Sequence, residues 1–194
     1  MQRYSLLLRL MHWPIALVVL ATVAGGLTIG ILGFKGVTET FGKDGRDLIY
    51  EYHKTLGLIV LGLMLIRLFV RLEHGKPPRY DISPAERAIS SLVQYLLYIF
   101  LLAQPIIGWL ATDAASFPVE FFHWNIPDVL PRSKEMKAFG MTLYEIHSIL
   151  GWTTVVLLVL HIGGALKHWI FDRNRVMWRM GFFGRRREEE DGWY

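Results

Sequence analysis

Four histidines lie in or at the ends of long apolar segments of this 194-residue chain: His12, His53, His147 and His161. An ionisable side chain at membrane depth is costly, so it indicates a functional site by default. The structural alternative is a neutral histidine hydrogen-bonded to a neighbouring helix, which carries about equal weight for any one of them taken alone. Because a histidine nitrogen is a common axial ligand of haem iron, the spacing of the four residues decides between these interpretations.

His147 and His161 are 14 residues apart. On an α-helix that spacing is only about 40° short of four full turns, so both share one face, about 21 Å apart along the axis. On antiparallel neighbouring helices, His53 then lies level with His147, and His12 level with His161. Two histidines that face each other across a helical bundle can occupy both axial positions of one haem iron. The spacing therefore predicts two bis-histidine sites at two depths.

Small and cationic residues flank these histidines. Gly57 and Gly151 each follow a histidine by four residues, and Gly163, Gly164 and Ala165 follow His161. Position i+4 lies on the same helix face, so glycine clears space there, although small residues also serve helix packing in membranes. Arg67 follows His53 by 14 residues, where it would pair with a haem propionate or extend to the membrane surface. Further basic candidates are Arg9, Arg71 and Lys167.

His168 is the competing candidate for the inner site. It follows His161 by seven residues and lies about 20° off its helix face. Its position beyond Lys167, near the membrane edge, favours His161 as the ligand, and His168 stays as the alternative. His74 and His123 fall in connecting segments and are predicted to be surface residues.

The segments that must position these residues are four apolar runs, at 10–32, 48–70, 89–112 and 146–171. Hydrophobic residues make up 53% of the chain and its mean hydropathy is +0.32. Each run reaches the roughly 20 residues that a helix needs to cross a bilayer, and only a helix satisfies its own backbone there. The sequence therefore predicts an all-α integral membrane four-helix bundle over residues 1–180, followed by a charged tail at 181–194. Pro105 and Gly108 suggest a kink in the third helix.

The connections are predicted at 33–47, a short polar loop, at 73–87, and at 113–145, a long aromatic segment at the membrane interface. Of the 21 lysines and arginines, 14 lie in the N-terminus, the second connection and the C-terminal segment, and 7 on the other side. Positive residues concentrate on the cytoplasmic side, so both termini are expected there. The net charge of +4 reflects this clustering and does not indicate nucleic-acid binding. The absence of cysteine excludes disulfides, thiolate metal sites and covalent haem attachment. No cleavable signal peptide is predicted.

With these residues in place, the chain resembles the bacterial cytochrome b561 family of di-haem membrane cytochromes, from Arg9 to about Met180. The resemblance rests on His12-Trp13, on His53 with Gly57 and Arg67, on His147 with Gly151, and on Leu160-His161 with His168. It implies two non-covalent b haems, with His12 and His161 on the inner iron and His53 and His147 on the outer one. It also implies a multi-pass protein of the bacterial inner membrane.

The expected function is membrane electron transfer through two haem b groups, to or from membrane quinone. By resemblance, superoxide is a candidate donor, and a redox partner protein is a further candidate. The runner-up is a haem-bearing anchor subunit of a larger oxidoreductase such as a hydrogenase or dehydrogenase. A third class is a zinc or copper transporter, which the absence of mid-membrane carboxylates disfavours.

Overall fold

The fold was analysed in a computed structural model that describes residues 4–75, 83–172 and 179–181. Its elements are three helices and one hairpin: α1 (Leu6–His74), α2 (Pro84–Ala114), β1 (Val119–Phe121), β2 (Trp124–Ile126) and α3 (Lys134–Ile170). All three helices are long and apolar enough to cross a membrane. The predicted tail at 181–194 lies, apart from residue 181, outside the described residues.

Helix α1 contains two antiparallel arms, at 6–32 and 43–74. The backbone leaves helical geometry at Gly33 and Gly42, whose φ angles of 64° and 74° suit glycine. Arg67 bonds Leu8 and His53 bonds Thr22, and both contacts are centred between residues 37 and 38. A shared midpoint is expected when two antiparallel arms turn at that point of the sequence.

Two of the predicted connections are wrong in their local structure. The segment 33–47, predicted as a polar loop, is helical except at its two glycines. Phe34, Val37 and Phe41 recur at helical spacing, Val37 is fully buried, and Lys35 and Glu39 form an i,i+4 ion pair. Within 113–145, α3 already begins at Lys134. Ser133 caps it by accepting a hydrogen bond from the Met136 N–H.

The same predicted connection, 113–145, also contains an antiparallel hairpin that pairs Val119 with Ile126. Two hydrogen bonds attach this hairpin to α1 beside His53. Lys54 Nζ bonds Glu120 at 2.7 Å, and Thr55 Oγ1 accepts from the Phe122 N–H at 2.9 Å. The hairpin thus packs against the end of the bundle that contains His53.

The helices meet along two small apolar clusters. Ile15, Val19, Val60 and Met64 join the two arms of α1, and Val93, Leu97 and Leu157 join α2 to α3. By contrast, large hydrophobic side chains such as Leu17, Phe69 and Val159 are more than 60% exposed. Apolar surface on this scale belongs in lipid, which agrees with a membrane-embedded protein.

Candidate functional site

His53 on α1 and His147 on α3 face each other. Their ring centres lie 6.1 Å apart and their planes cross at 83°. Both rings are largely enclosed by helices α1, α2 and α3, and both line one cleft between these helices. We call this pair and its cleft the outer site.

The ring orientation of both outer histidines is set by backbone carbonyls. Nδ1 of His53 lies 2.9 Å from the Thr22 oxygen, and Nδ1 of His147 lies 3.1 Å from the Gln104 oxygen. A carbonyl oxygen only accepts, so Nδ1 carries the proton in both rings and Nε2 keeps its lone pair. Metal-ligating histidines are typically held in this way. The Gln104 side chain adds a bond from its Nε2 to the His147 carbonyl at 2.7 Å.

The cleft of the outer site is mostly apolar and rich in glycine. It is lined by four glycines, Gly26, Gly30, Gly57 and Gly151. A Cβ at Gly57 would meet no atom within 4 Å, whereas one at Gly151 would lie 3.2 Å from Gln104 Nε2. Both of the glycines predicted from the sequence therefore line the cleft, and Gly57 opens onto its empty part.

The second pair, His12 on α1 and His161 on α3, has nearly the same geometry. The ring centres are 6.3 Å apart and the planes cross at 71°. Trp13 lies edge-on to His12, and its indole N–H donates to the Met180 carbonyl. His147 and His161 belong to one continuous helix, so the two pairs lie about 21 Å apart along its axis. We call this second pair the inner site. A Cβ at Gly163 or Gly164 would meet nothing within 4 Å.

Three arginines lie on the arms of α1 at the end of the bundle that contains the inner site. Arg67 is 6% exposed, and its Nη1 donates to the Leu8 carbonyl at 2.7 Å. Arg9 is 9% exposed and donates to the Gly181 carbonyl, while Arg71 lies over the rings of Tyr4 and Tyr98. Among the described residues, neither Arg67 nor Arg9 forms a salt bridge with a carboxylate. Buried cations held by neutral carbonyls favour an anionic ligand beside them.

His168 lies in a different environment from His161. It is buried, and its Nδ1 bonds the Asp172 carboxylate at 2.6 Å. Lys167 bonds both Asp172 and Glu86, so this polar cluster joins the end of α3 to the start of α2. Hydrogen bonds from Lys167 and Ser83 lower the pKa of Glu86 to about 2. Lys167, one of the basic candidates named from the sequence, thus forms salt bridges with two carboxylates. The predicted surface residues His74 and His123 are both exposed.

The pairs fit a ligand that supplies its own equatorial donors. Two imidazoles that share one metal at about 2.0–2.1 Å from each nitrogen place their ring centres roughly 6 Å apart, close to both observed distances. A zinc site needs four ligands. Among the described residues, the one group of three or more metal-binding side chains that lie together is Glu86, His168 and Asp172, away from both pairs. A haem requires only the two axial ligands that each pair offers.

Sequence reasoning missed the residues that hold the outer rings. Thr22 and Gln104 act mainly through backbone carbonyls, which every residue type has, so no sequence signal distinguishes them. Gly26 and Gly108 lie against the two outer imidazoles. The spacing from Thr22 to Gly26 equals that from Gln104 to Gly108, but only the contacts of the folded chain show which residue four positions before each glycine supplies the carbonyl.

Comparison with known proteins agrees with this geometry. Residues 3–182 match the family described as prokaryotic cytochrome b561. "Cytochrome b561 homolog 2" of Escherichia coli is 29% identical over 92% of this chain and 91% of its own length, and "Cytochrome b561 homolog 1" is 26% identical over 93% and 97%. "Probable superoxide oxidase CybB" of Yersinia pestis is 24% identical over 92% and 96%. With nearly the whole chain matched, this membrane protein belongs to the prokaryotic cytochrome b561 family of haem b electron-transfer proteins.

Proposed function

We propose that the protein is a di-haem electron carrier that connects the two membrane surfaces and exchanges electrons with quinone. The observation that carries the proposal is the presence of two facing imidazole pairs, with ring centres 6.1 Å and 6.3 Å apart, each of which joins a histidine of α1 to a histidine of α3. His53 and His147 would hold the outer haem, and His12 and His161 the inner one. A bis-histidine haem passes single electrons and offers oxygen no open coordination position.

The polypeptide's contribution would be to fix and tune the two sites. The carbonyls of Thr22 and Gln104 orient the outer ligands, and an imidazole that donates from Nδ1 is a stronger donor at Nε2. At the inner site, Arg67 would pair with a propionate, because its buried guanidinium otherwise bonds a neutral carbonyl. Lipid-facing apolar surface around both sites gives quinone direct access from the membrane.

The proposed topology is four crossings with both termini in the cytoplasm of a bacterium, in the inner membrane. It is supported by the two antiparallel arms of α1 and by the excess of lysine and arginine on one side. The chain lacks cysteine, so single cysteines can be introduced at Glu73 and Lys134 and probed with an impermeant thiol reagent. We expect position 73 to react from the cytoplasmic side alone and position 134 from outside alone. Labelling of both positions from the same side would contradict this topology.

The test of the function begins with a reduced-minus-oxidised spectrum and the haem-to-protein ratio of the purified chain. About two haems per chain are expected, both low-spin, because each iron has two imidazole ligands. The chemically reduced protein is then mixed with a ubiquinone analogue or with oxygen in a stopped-flow instrument. We expect faster reoxidation by the quinone. A protein that reacts with no quinone but is oxidised by a co-purifying subunit would be a membrane anchor of a larger oxidoreductase instead.

Superoxide is the donor that we propose, since a relative carries the name of a probable superoxide oxidase. The reaction would take one electron from superoxide and leave dioxygen, and two such electrons with two protons would reduce one quinone to quinol. Enzymatically generated superoxide should reduce the haems of the oxidised protein, and superoxide dismutase should prevent that reduction. Reduction that persists with the dismutase present would identify another donor.

A further inference from the structure

Two glycines lie directly against the imidazoles of the outer site. A Cβ at Gly26 would lie 2.8 Å from His53 Cε1, and a Cβ at Gly108 would lie 2.7 Å from His147 Cε1. Carbon atoms in van der Waals contact are about 3.5–4.0 Å apart. Any side chain at either glycine would therefore move the imidazole or separate the helices.

The same arrangement occurs on two different helices. On α1 the carbonyl that accepts from His53 belongs to Thr22, four residues before Gly26. On α2 the carbonyl that accepts from His147 belongs to Gln104, four residues before Gly108. A helical side chain leans towards the N-terminus over the preceding turn. A residue at i+4 thus covers the carbonyl of residue i, and glycine leaves that carbonyl open.

We propose that Gly26 and Gly108 are positioning residues of the outer site. The missing side chain at each gives Nδ1 of the facing histidine access to the carbonyl one turn earlier, which orients the ring and leaves Nε2 for the iron. The iron in this statement rests on the proposed function, whereas the placement of the ring is a property of the polypeptide. The inner pair has no corresponding glycine contact among the described glycines.

Helix packing is the competing explanation, because small residues bring membrane helices together. Gly25 provides a matched control for it. It neighbours Gly26 on the same helix, and its Cβ would lie 3.7 Å from Cβ and Nδ1 of His53, an ordinary contact. Gly62, an exposed glycine of α1 where a Cβ would meet nothing, is a second control. Alanine favours a helix over glycine, so both control variants should be as stable as the wild type or slightly more so.

The first measurement is the haem content, low-spin electron paramagnetic resonance spectrum and midpoint potentials of Gly26→Ala and Gly108→Ala, with Gly25→Ala and Gly62→Ala as controls. We expect each of the first two variants to lose one of about two haems, or to keep it with an altered resonance signal and potential. The controls should match the wild type. If Gly26→Ala and Gly108→Ala keep both haems with unchanged signals and potentials, the proposal is overturned.

The second measurement separates ring placement from packing, and it uses the haem-free chain. Thermal unfolding is compared for the wild type, Gly26→Ala, His53→Ala and the double variant. We expect Gly26→Ala to lower the Tm while His53 is present and to have no such effect once the ring is removed. An equal loss in both backgrounds would assign Gly26 to helix packing. A wild-type chain that binds no haem would refute the proposed function, yet this cycle would still test where the ring lies.

Discussion

Replacing His53 or His147 with alanine is expected to remove one haem and to leave the other bound. The two ring pairs lie at different levels of the bundle. The loss of one histidine would therefore remove a ligand from one proposed haem and leave both ligands of the other haem in place. The haem-to-protein ratio should fall from about two to about one, a loss of half the absorbance. His12→Ala and His161→Ala should do the same at the inner level, and a variant that combines His12→Ala with His53→Ala should bind little haem.

Exposed histidines provide the control for these variants. The contacts of His74 and His123 involve neither pair: His74 bonds the Val70 carbonyl, and His123 lies 3.5 Å from Glu51. His123→Ala should therefore retain both haems. His168→Ala should also retain both, because His168 bonds Asp172. If His161→Ala keeps two haems while His168→Ala loses one, the inner ligand is His168.

Arg67→Ala is expected to lower the midpoint potential of the inner haem by tens of millivolts. Removal of a buried cation makes the addition of an electron nearby less favourable, and a change of about 59 mV corresponds to a tenfold change in the one-electron equilibrium. The outer potential should stay within a few millivolts of the wild type, since about 21 Å of helix separates the two levels. A redox titration followed at the haem absorbance band measures both potentials.

Arg67→Lys is the matched control because it keeps the charge. Its inner potential should remain nearer to the wild type than that of Arg67→Ala, although a lysine cannot reproduce the two-pronged geometry of a guanidinium. Unchanged potentials in Arg67→Ala would mean that Arg67 acts through its bond to the Leu8 carbonyl and serves the fold alone. In that case the variant should lower the thermal stability without changing the spectrum.

Histidine spacing was sufficient to predict which rings lie together, because 14 residues fix both the angle and the rise on a helix. His147 and His161 share one continuous helix in the structure, and each lies beside the histidine expected for it. The family follows from the same residues and is confirmed by the match over residues 3–182.

The structure of the connections was harder to predict because it depends on tertiary contacts with residues far away in the sequence. The segment between Gly33 and Gly42 mixes charged and hydroxyl side chains with Phe34, Val37 and Phe41, and the burial of Val37 is visible only in the folded chain. The hairpin depends on Lys54 and Thr55, more than 60 residues away from their partners. The predicted glycines follow the histidines on the same segment, whereas Gly26 approaches His53 from the other arm of α1 and Gly108 approaches His147 from α2. A search within one helical segment cannot detect such contacts.

The division of the proposed ligands between α1 and α3 would determine when the protein can acquire its cofactor during synthesis. His12 and His53 emerge from the ribosome early, whereas His147 and His161 belong to the last helix. At about 5–20 residues per second, the first two histidines wait several seconds for their partners. On the proposed ligand assignment, neither site is complete before α3 is inserted, so stable haem incorporation would have to follow the synthesis of α3. A nascent chain that ends before His147 would offer each of the two proposed haems a single histidine.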